Sequence, residues 1–182
     1  DLHDKDVQDC RGLIINTNNN KIICIPPTKS IKIKDFIEKV DNWDNIQIED
    51  FIDGTMINVF HHNEKWCLST RSCVGANCRW FSDKNFSQLF HESKNSLDFE
   101  KLNKLPKTWS FTFVLRHNDN RIVKEYQEPS IILVYARNIT ENKVDNLNLQ
   151  YVKEKMSEVE IDIDIPNTYQ FNNINELNEK VK

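Results

Sequence analysis

Ile46-Gln47-Ile48-Glu49-Asp50-Phe51-Ile52-Asp53-Gly54-Thr55-Met56-Ile57-Asn58-Val59-Phe60 sets a short segment, Phe51 to Thr55, between two strand-like runs. β-Branched and aromatic residues on either side favour extended backbone, and glycine permits a turn or a close backbone approach between them. Outward from this stretch, the second run continues through His61-His62-Asn63-Glu64 into Lys65-Trp66-Cys67-Leu68-Ser69-Thr70-Arg71, which reads as a hairpin. Upstream, Cys10 to Ile15 and Lys21 to Ile25 form another hairpin around Thr17-Asn18-Asn19-Asn20, and Pro26-Pro27 ends its second strand because proline cannot donate to the ladder.

Helical spacing is local. Phe36, Ile37 and Val40 predict a short helix over residues 34 to 40. Ser82 is a candidate cap for a helix carrying Phe86, Leu89 and Phe90, and Ser96 for one carrying Phe99 and Leu102 that stops at Pro106. Trp109 to Leu115 alternates as a strand, whereas Ile131 to Ala136 is continuously apolar and reads as a buried strand. Val159 to Ile165 alternates strictly, which predicts a half-exposed strand at an edge, and Ile174, Leu177 and Val181 mark a last helix. The expected fold class is α+β, with mostly antiparallel sheets and flanking helices on one side, in a single domain over residues 1 to 182.

Lys plus Arg number 24 and Asp plus Glu 28, giving −4, so a nucleic-acid surface would have to be local, for example around Lys21, Lys29, Lys32 and Lys34. The longest apolar stretch, residues 131 to 136, is far too short to span a bilayer, and the acidic start lacks a signal-peptide pattern. A cytoplasmic location is the expectation. Five cysteines, an odd number without ribbon spacing, read as reduced structural thiols; a ligand set of His61, His62, Cys67, Cys73 and Cys78 is disfavoured, because strand neighbours point to opposite faces. The carboxylates Glu49, Asp50, Asp53 and Glu64 form the weaker alternative of a metal nuclease.

The chain has three glycines, at 12, 54 and 75, each where charge and strand-like sequence meet. That pattern fits one shared site, and it fits ordinary turns.

Phe51-Ile52-Asp53-Gly54-Thr55 resembles the nucleotidyl-transfer motif Lys-x-Asp-Gly-Ser/Thr with phenylalanine in place of lysine. The order of other blocks resembles the phage-type RNA ligase family, the tRNA-repair ligases and their adenylylation domain. Cys10-Arg11-Gly12-Leu13-Ile14 resembles its Cys-Arg-Gly-hydrophobic strand, Pro26-Pro27-Thr28-Lys29-Ser30 stands where the family has a lysine in a Pro-x-x-Lys context, and Ser69-Thr70-Arg71-Ser72 resembles Lys-Ser-Lys-Gly. Phe111-Thr112-Phe113-Val114, Asn120-Arg121-Ile122-Val123, Tyr126-Gln127-Glu128 and Ile131-Ile132-Leu133-Val134-Tyr135-Ala136-Arg137 resemble Phe-Glu-Phe-Val, Asn-Arg-Ile-Val, Tyr-Gln-Glu and Ile-Ile-Leu-Leu-x-Val-Arg in order and spacing. Ligase-like proteins of large DNA viruses share a similar Asp-Gly-Thr-Met-Ile-Asn segment.

The resemblance implies a nucleotide pocket for ATP with Mg2+. Arg11, Lys29 and Arg71 would meet the phosphates, Asp53 and Gly54 would lie near the ribose, and Phe113 or Phe111 would line the base slot. It also implies lost chemistry. Phe51 occupies the position of the lysine that attacks the α-phosphorus, and Thr112 that of a carboxylate. The family's Glu-Gly and Lys-x-Lys strands do not occur in this sequence, so the domain reads as incomplete. The expected function is a ligase-like fold that binds a nucleotide or RNA end without self-adenylylation, in the cytoplasm of a host cell that a virus has infected. The alternatives are an active ligase using Lys29 or Lys65, and an interaction module that binds a protein partner.

Overall fold

The computed structural model describes Val7 and residues 10 to 180 except Asn142. A five-stranded antiparallel sheet organises the chain, in the order β5-β4-β6-β7-β8. Its strands are β4 (Thr55–His62), β5 (Lys65–Ser69), β6 (Trp109–Arg116), β7 (Ser130–Ile139) and β8 (Val144–Asn146). Two smaller antiparallel pairs accompany it: β1 (Ile14–Asn16) with β2 (Lys21–Cys24), and β3 (Ile48–Glu49) with β9 (Thr168–Tyr169). The helices are α1 (Ile33–Ile37), α2 (Phe86–Glu92), α3 (Phe99–Leu102), α4 (Leu149–Glu158) and α5 (Ile174–Lys180). The α+β class with antiparallel sheets is therefore what the chain adopts.

The core lies on one face of the large sheet. Ile57, Val59, Trp66, Leu68, Phe111, Phe113, Leu115, Ile131 and Leu133 point into it and meet Phe86, Leu89 and Phe90 of α2, Leu102 of α3, and Val152 and Met156 of α4. Burial of this many large apolar side chains, at roughly 1.5–3 kcal/mol each, is the main force holding helices to sheet. On the other face the β1–β2 hairpin packs against β4 and β7. That double cover explains why β6 is buried along nearly its whole length although its sequence alternates.

Several expectations are corrected. Helix α2 is capped by Asn85, whose side chain accepts from Gln88 N while the Gln88 side chain accepts from Asn85 N, and α3 by Asp98; neither Ser82 nor Ser96 caps. Residues 159 to 165 alternate in burial, with Ile161 and Ile163 in the core, but make no strand ladder. They touch β7 through a single parallel bridge, Leu133 N donating to Asp164 O at 2.9 Å. Helix α4 was not expected: Val152 and Met156 are its only buried residues, and Lys153, Glu154, Lys155 and Glu158 share the remainder with Leu149, Gln150, Tyr151 and Ser157. Val181, assigned to the last helix, lies outside the described residues.

Strand β7 carries a bulge. Thr112 pairs with Tyr135 and Phe113 with Leu133, leaving Val134 without a direct partner. Leu133 and Ala136 thus both face the core, and Tyr135 and Arg137 both face away.

Candidate functional site

The face of the sheet opposite the core carries a polar patch. Alternation along the paired strands puts Met56, Asn58, Ser69, Ser110, Thr112, Tyr135 and Arg137 on it, beside the apolar Phe60, Val114 and Ile132. Thr112 Oγ1 donates to Asn58 Oδ1 at 2.9 Å, and Asn58 Nδ2 donates to Ser69 Oγ at 3.3 Å, so a buried row of hydrogen bonds crosses three strands. Beside it, Ser110 Oγ donates to Cys24 Sγ of β2 at 3.3 Å, which docks the small hairpin. No strand residue of this face carries a carboxylate.

The hairpin brings Arg11 to Arg71. A Cβ added to Gly12 would lie 3.1 Å from Pro26 Cγ and 3.3 Å from Arg71 Cα, and the backbone there has φ +83°, so glycine allows the close approach. Arg71 donates to Met56 Sδ at 3.1 Å. Burial, and then the charge of Arg11, hold the Arg71 pKa below its ordinary value. Among the described residues no carboxylate forms an ion pair with Arg11, Lys29, Arg71 or Arg137. Arg71 Nε and Arg137 Nε are buried without a hydrogen-bond partner among the described residues. Arg137 stacks over Tyr135, 4.9 Å to the ring centroid, and donates to its hydroxyl at 3.0 Å. The like charges of Arg11 and Arg71, brought together this way, favour an anion beside them.

The expected residues fall into three groups. Arg11 and Arg71 come together; Lys29, in the segment between β2 and α1, is half-buried, and it is Arg11 whose charge acts on Arg71. Asp53 and Gly54 are occupied structurally. Asp53 Oδ2 accepts from Val123 N at 3.1 Å, Lys124 N at 2.9 Å and the Tyr126 hydroxyl at 3.0 Å. Gly54, at φ +146°, is packed so that an added Cβ would sit 2.3 Å from Leu115 O. Phe113 is the correction: fully buried, it meets Phe90 edge-on at 6.1 Å in the core, because β6 turns Phe111 and Phe113 to the same face and Thr112 to the other.

Phe51 is 96% exposed, between Asp50, which Asn167 and Tyr169 hold, and Asp53. Sequence reasoning missed Tyr135, Arg137, Asn58 and Ser69. Arg137 stood in a block already quoted, but the bulge hid which way it points.

The other ligand sets dissolve. Asp50 and Asp53 are taken by different loops, and Glu64 sits in the β4–β5 turn at φ 62°. All five cysteines are free thiols. Lys21, expected in a cationic patch, is paired with Glu141. Among the described residues, the carboxylate and histidine atoms that do converge belong to Glu92, His117 and Asp119, where Lys84 Nζ lies 2.7 Å from Glu92 and 3.3 Å from Asp119. No helix among the described residues is long and apolar enough to cross a membrane.

No protein-family model matches the chain. It is 25% identical over 149 residues to a protein of Autographa californica nuclear polyhedrosis virus described as a candidate bifunctional polynucleotide kinase/RNA ligase, covering 72% of this chain and 22% of that one. It is 30% identical over 106 residues to an RNA ligase of Rhodothermus phage RM378, covering 50% of this chain and 23% of the relative. Among solved structures, a mutant Naegleria gruberi RNA ligase with ATP and Mn superposes with a TM-score of 0.63 at 14% identity, over 91% of this chain and 51% of that one. An apo mutant of a Naegleria gruberi RNA ligase superposes with a TM-score of 0.56 at 13% identity, over 80% and 42%. The chain is RNA ligase-like at low identity, with the fold of the ligase nucleotidyltransferase domain. It spans less than a quarter of the length of the two viral relatives.

Proposed function

We propose that this chain binds a nucleotide, or the phosphorylated end of an RNA, on the polar face of its central sheet and does not adenylylate itself. The observation that carries the reading is Phe51, 96% exposed at the position that resembles the family's nucleophilic lysine. An apolar ring of that size standing in water serves neither the core nor covalent attack on phosphorus.

Arg11 and Arg71 fit a phosphate chain: they are cationic neighbours, Arg71 Nε is buried without a partner, and no carboxylate competes for them among the described residues; Arg137 is a third cation on the outer side of the same sheet. Lys29 would add a fourth charge at the rim. The fit to a divalent ion is poor, because Thr112 stands where the family's carboxylate is expected and engages Asn58 instead. The pocket's base slot is not supplied by Phe113.

The deciding experiment incubates the chain with α-labelled ATP and Mg2+ or Mn2+. Label that stays on the protein through denaturing electrophoresis and is released by acid, as a lysine phosphoramidate is, is not expected; its appearance would sink the reading, and substitution of Lys29 and Lys65 would then locate the amine. In parallel, ATP at one hundred times its dissociation constant should stabilise the fold by about 2.7 kcal/mol. Arg71→Ala should abolish that gain, and a wild-type chain indifferent to ATP and to 5′-phosphorylated RNA would refute the binding half.

A further inference from the structure

Between the end of β5 and α2 the chain makes an excursion closed by two backbone bonds, Phe86 N donating to Cys78 O at 3.1 Å and Ser87 N to Ala76 O at 3.0 Å. Its C-terminal limb is anchored: Ser82 Oγ accepts from Lys84 N at 3.1 Å, Lys84 Nζ is held by Glu92 and Asp119, and Asn85 caps α2. The tip is Arg79-Trp80-Phe81. Trp80 is 57% and Phe81 93% exposed, and their rings meet edge to face, 5.1 Å between centroids at 76°. Such a pair stiffens itself while leaving most of the ring faces to solvent.

Phe81 also takes a left-handed backbone, φ +52°. A bulky aromatic residue there is strained, and no burial of its ring compensates. Arg79, exposed beside the two rings, has no ion-pair partner among the described residues; Asp83 is the exposed carboxylate of the same loop. Two presented aromatic faces with an adjoining guanidinium match the chemistry of an unpaired nucleic-acid strand, in which bases stack on rings and phosphates meet the cation.

We infer that Arg79, Trp80 and Phe81 form a base-stacking platform for single-stranded RNA, separate from the polar face that carries Arg11 and Arg71. Its choice of RNA rests on the ligase-like reading above. The rings are sequence-tolerant partners, so the platform takes unpaired bases of any identity, and Arg79 contacts the backbone between them.

The test measures anisotropy of a fluorescein-labelled oligouridylate of about 12 nucleotides with the full chain. Trp80→Ala and Phe81→Ala should each weaken binding about tenfold, Trp80→Phe should retain it, and Arg79→Ala should lower the salt slope by about one counterion. Thermal midpoints should stay unchanged, since both rings lie outside the core. Unchanged RNA affinity in the alanine variants, or no affinity in the wild type, overturns the platform; a patch built for a protein partner would give that result. ATP titrations on the same variants separate the two readings. Trp80→Ala should bind ATP as wild type does, and ring-dependent RNA binding without any ATP binding would leave the platform standing while the nucleotide site fell.

Discussion

The Tyr126 hydroxyl donates to Asp53, lying 2.8 Å from its main-chain O and 3.0 Å from its Oδ2, so one phenol ties the loop before β7 to the segment before β4. The Asp53 carboxyl is held below the usual carboxylate range, first by the Lys124 N–H, then by Tyr126 and the Val123 N–H. A depressed carboxylate contributes stability above its unfolded pKa of about 3.9 and loses it as pH falls through the folded value. Asp53→Asn should therefore be less stable than wild type at neutral pH and converge with it below about pH 4. Urea midpoints along the pH series check this, and parallel curves at all pH values would contradict it.

Gly54→Ala should cost about 2–4 kcal/mol, well beyond an ordinary turn substitution. The added methyl would press on Leu115 O at 2.3 Å and Val114 Cγ1 at 2.7 Å, and the φ of +146° disfavours any side chain. Denaturant unfolding at constant m gives the value; a loss under 1 kcal/mol would mean the β4 entrance relaxes freely.

Thr112→Val keeps the shape of the side chain and removes the hydroxyl that satisfies Asn58 Oδ1. An unpaired buried acceptor costs about 1–3 kcal/mol. Thr112→Ser should recover most of it, because it restores the donor and gives up a methyl only. Equal losses in both variants would show that packing, rather than the hydrogen bond, governs the position.

Cys24 should be inert while the fold is intact. Burial pushes its thiol from 9.0 up to about 11. The thiol's contribution to stability is full below the unfolded pKa of about 8.5 and declines as pH rises toward the folded value. Iodoacetamide at mildly alkaline pH should label exposed Cys10 and spare Cys24 by peptide mass. Cys24→Ala should flatten the alkaline part of the stability profile.

Much of the fold was legible because its strands alternate or run apolar between turn residues: both hairpins, β6, β7 and the side covered by helices read directly from periodicity. The caps were misread among crowded polar residues, although Gln88 three positions after Asn85 is the reciprocal-capping signal that would have picked Asn85 over Ser82. Helix α4 escaped because two buried residues one turn apart, Val152 and Met156, make a weak stripe. The candidate site was half legible. Arg11 and Arg71 came from local blocks, but their meeting depends on Gly12 packing against Arg71, a tertiary contact that spacing does not encode. Phe113 was assigned to the pocket from its block, whereas the pairing of β4 with β6 turns it into the core.

The unpaired Val134 changes the parity of β7. Before it, odd-numbered residues look inward to the helices; after it, even-numbered ones do. The strand is thus spelled in two reading frames, and the extra residue lets both frames serve one ladder. Deletion of Val134 would leave Leu133 opposite Phe113 and Tyr135 opposite Thr112, an uninterrupted alternation with Tyr135 and Arg137 still turned away from the core. One uncoupled valine shifts the count of the strand without shifting the face on which its charge stands.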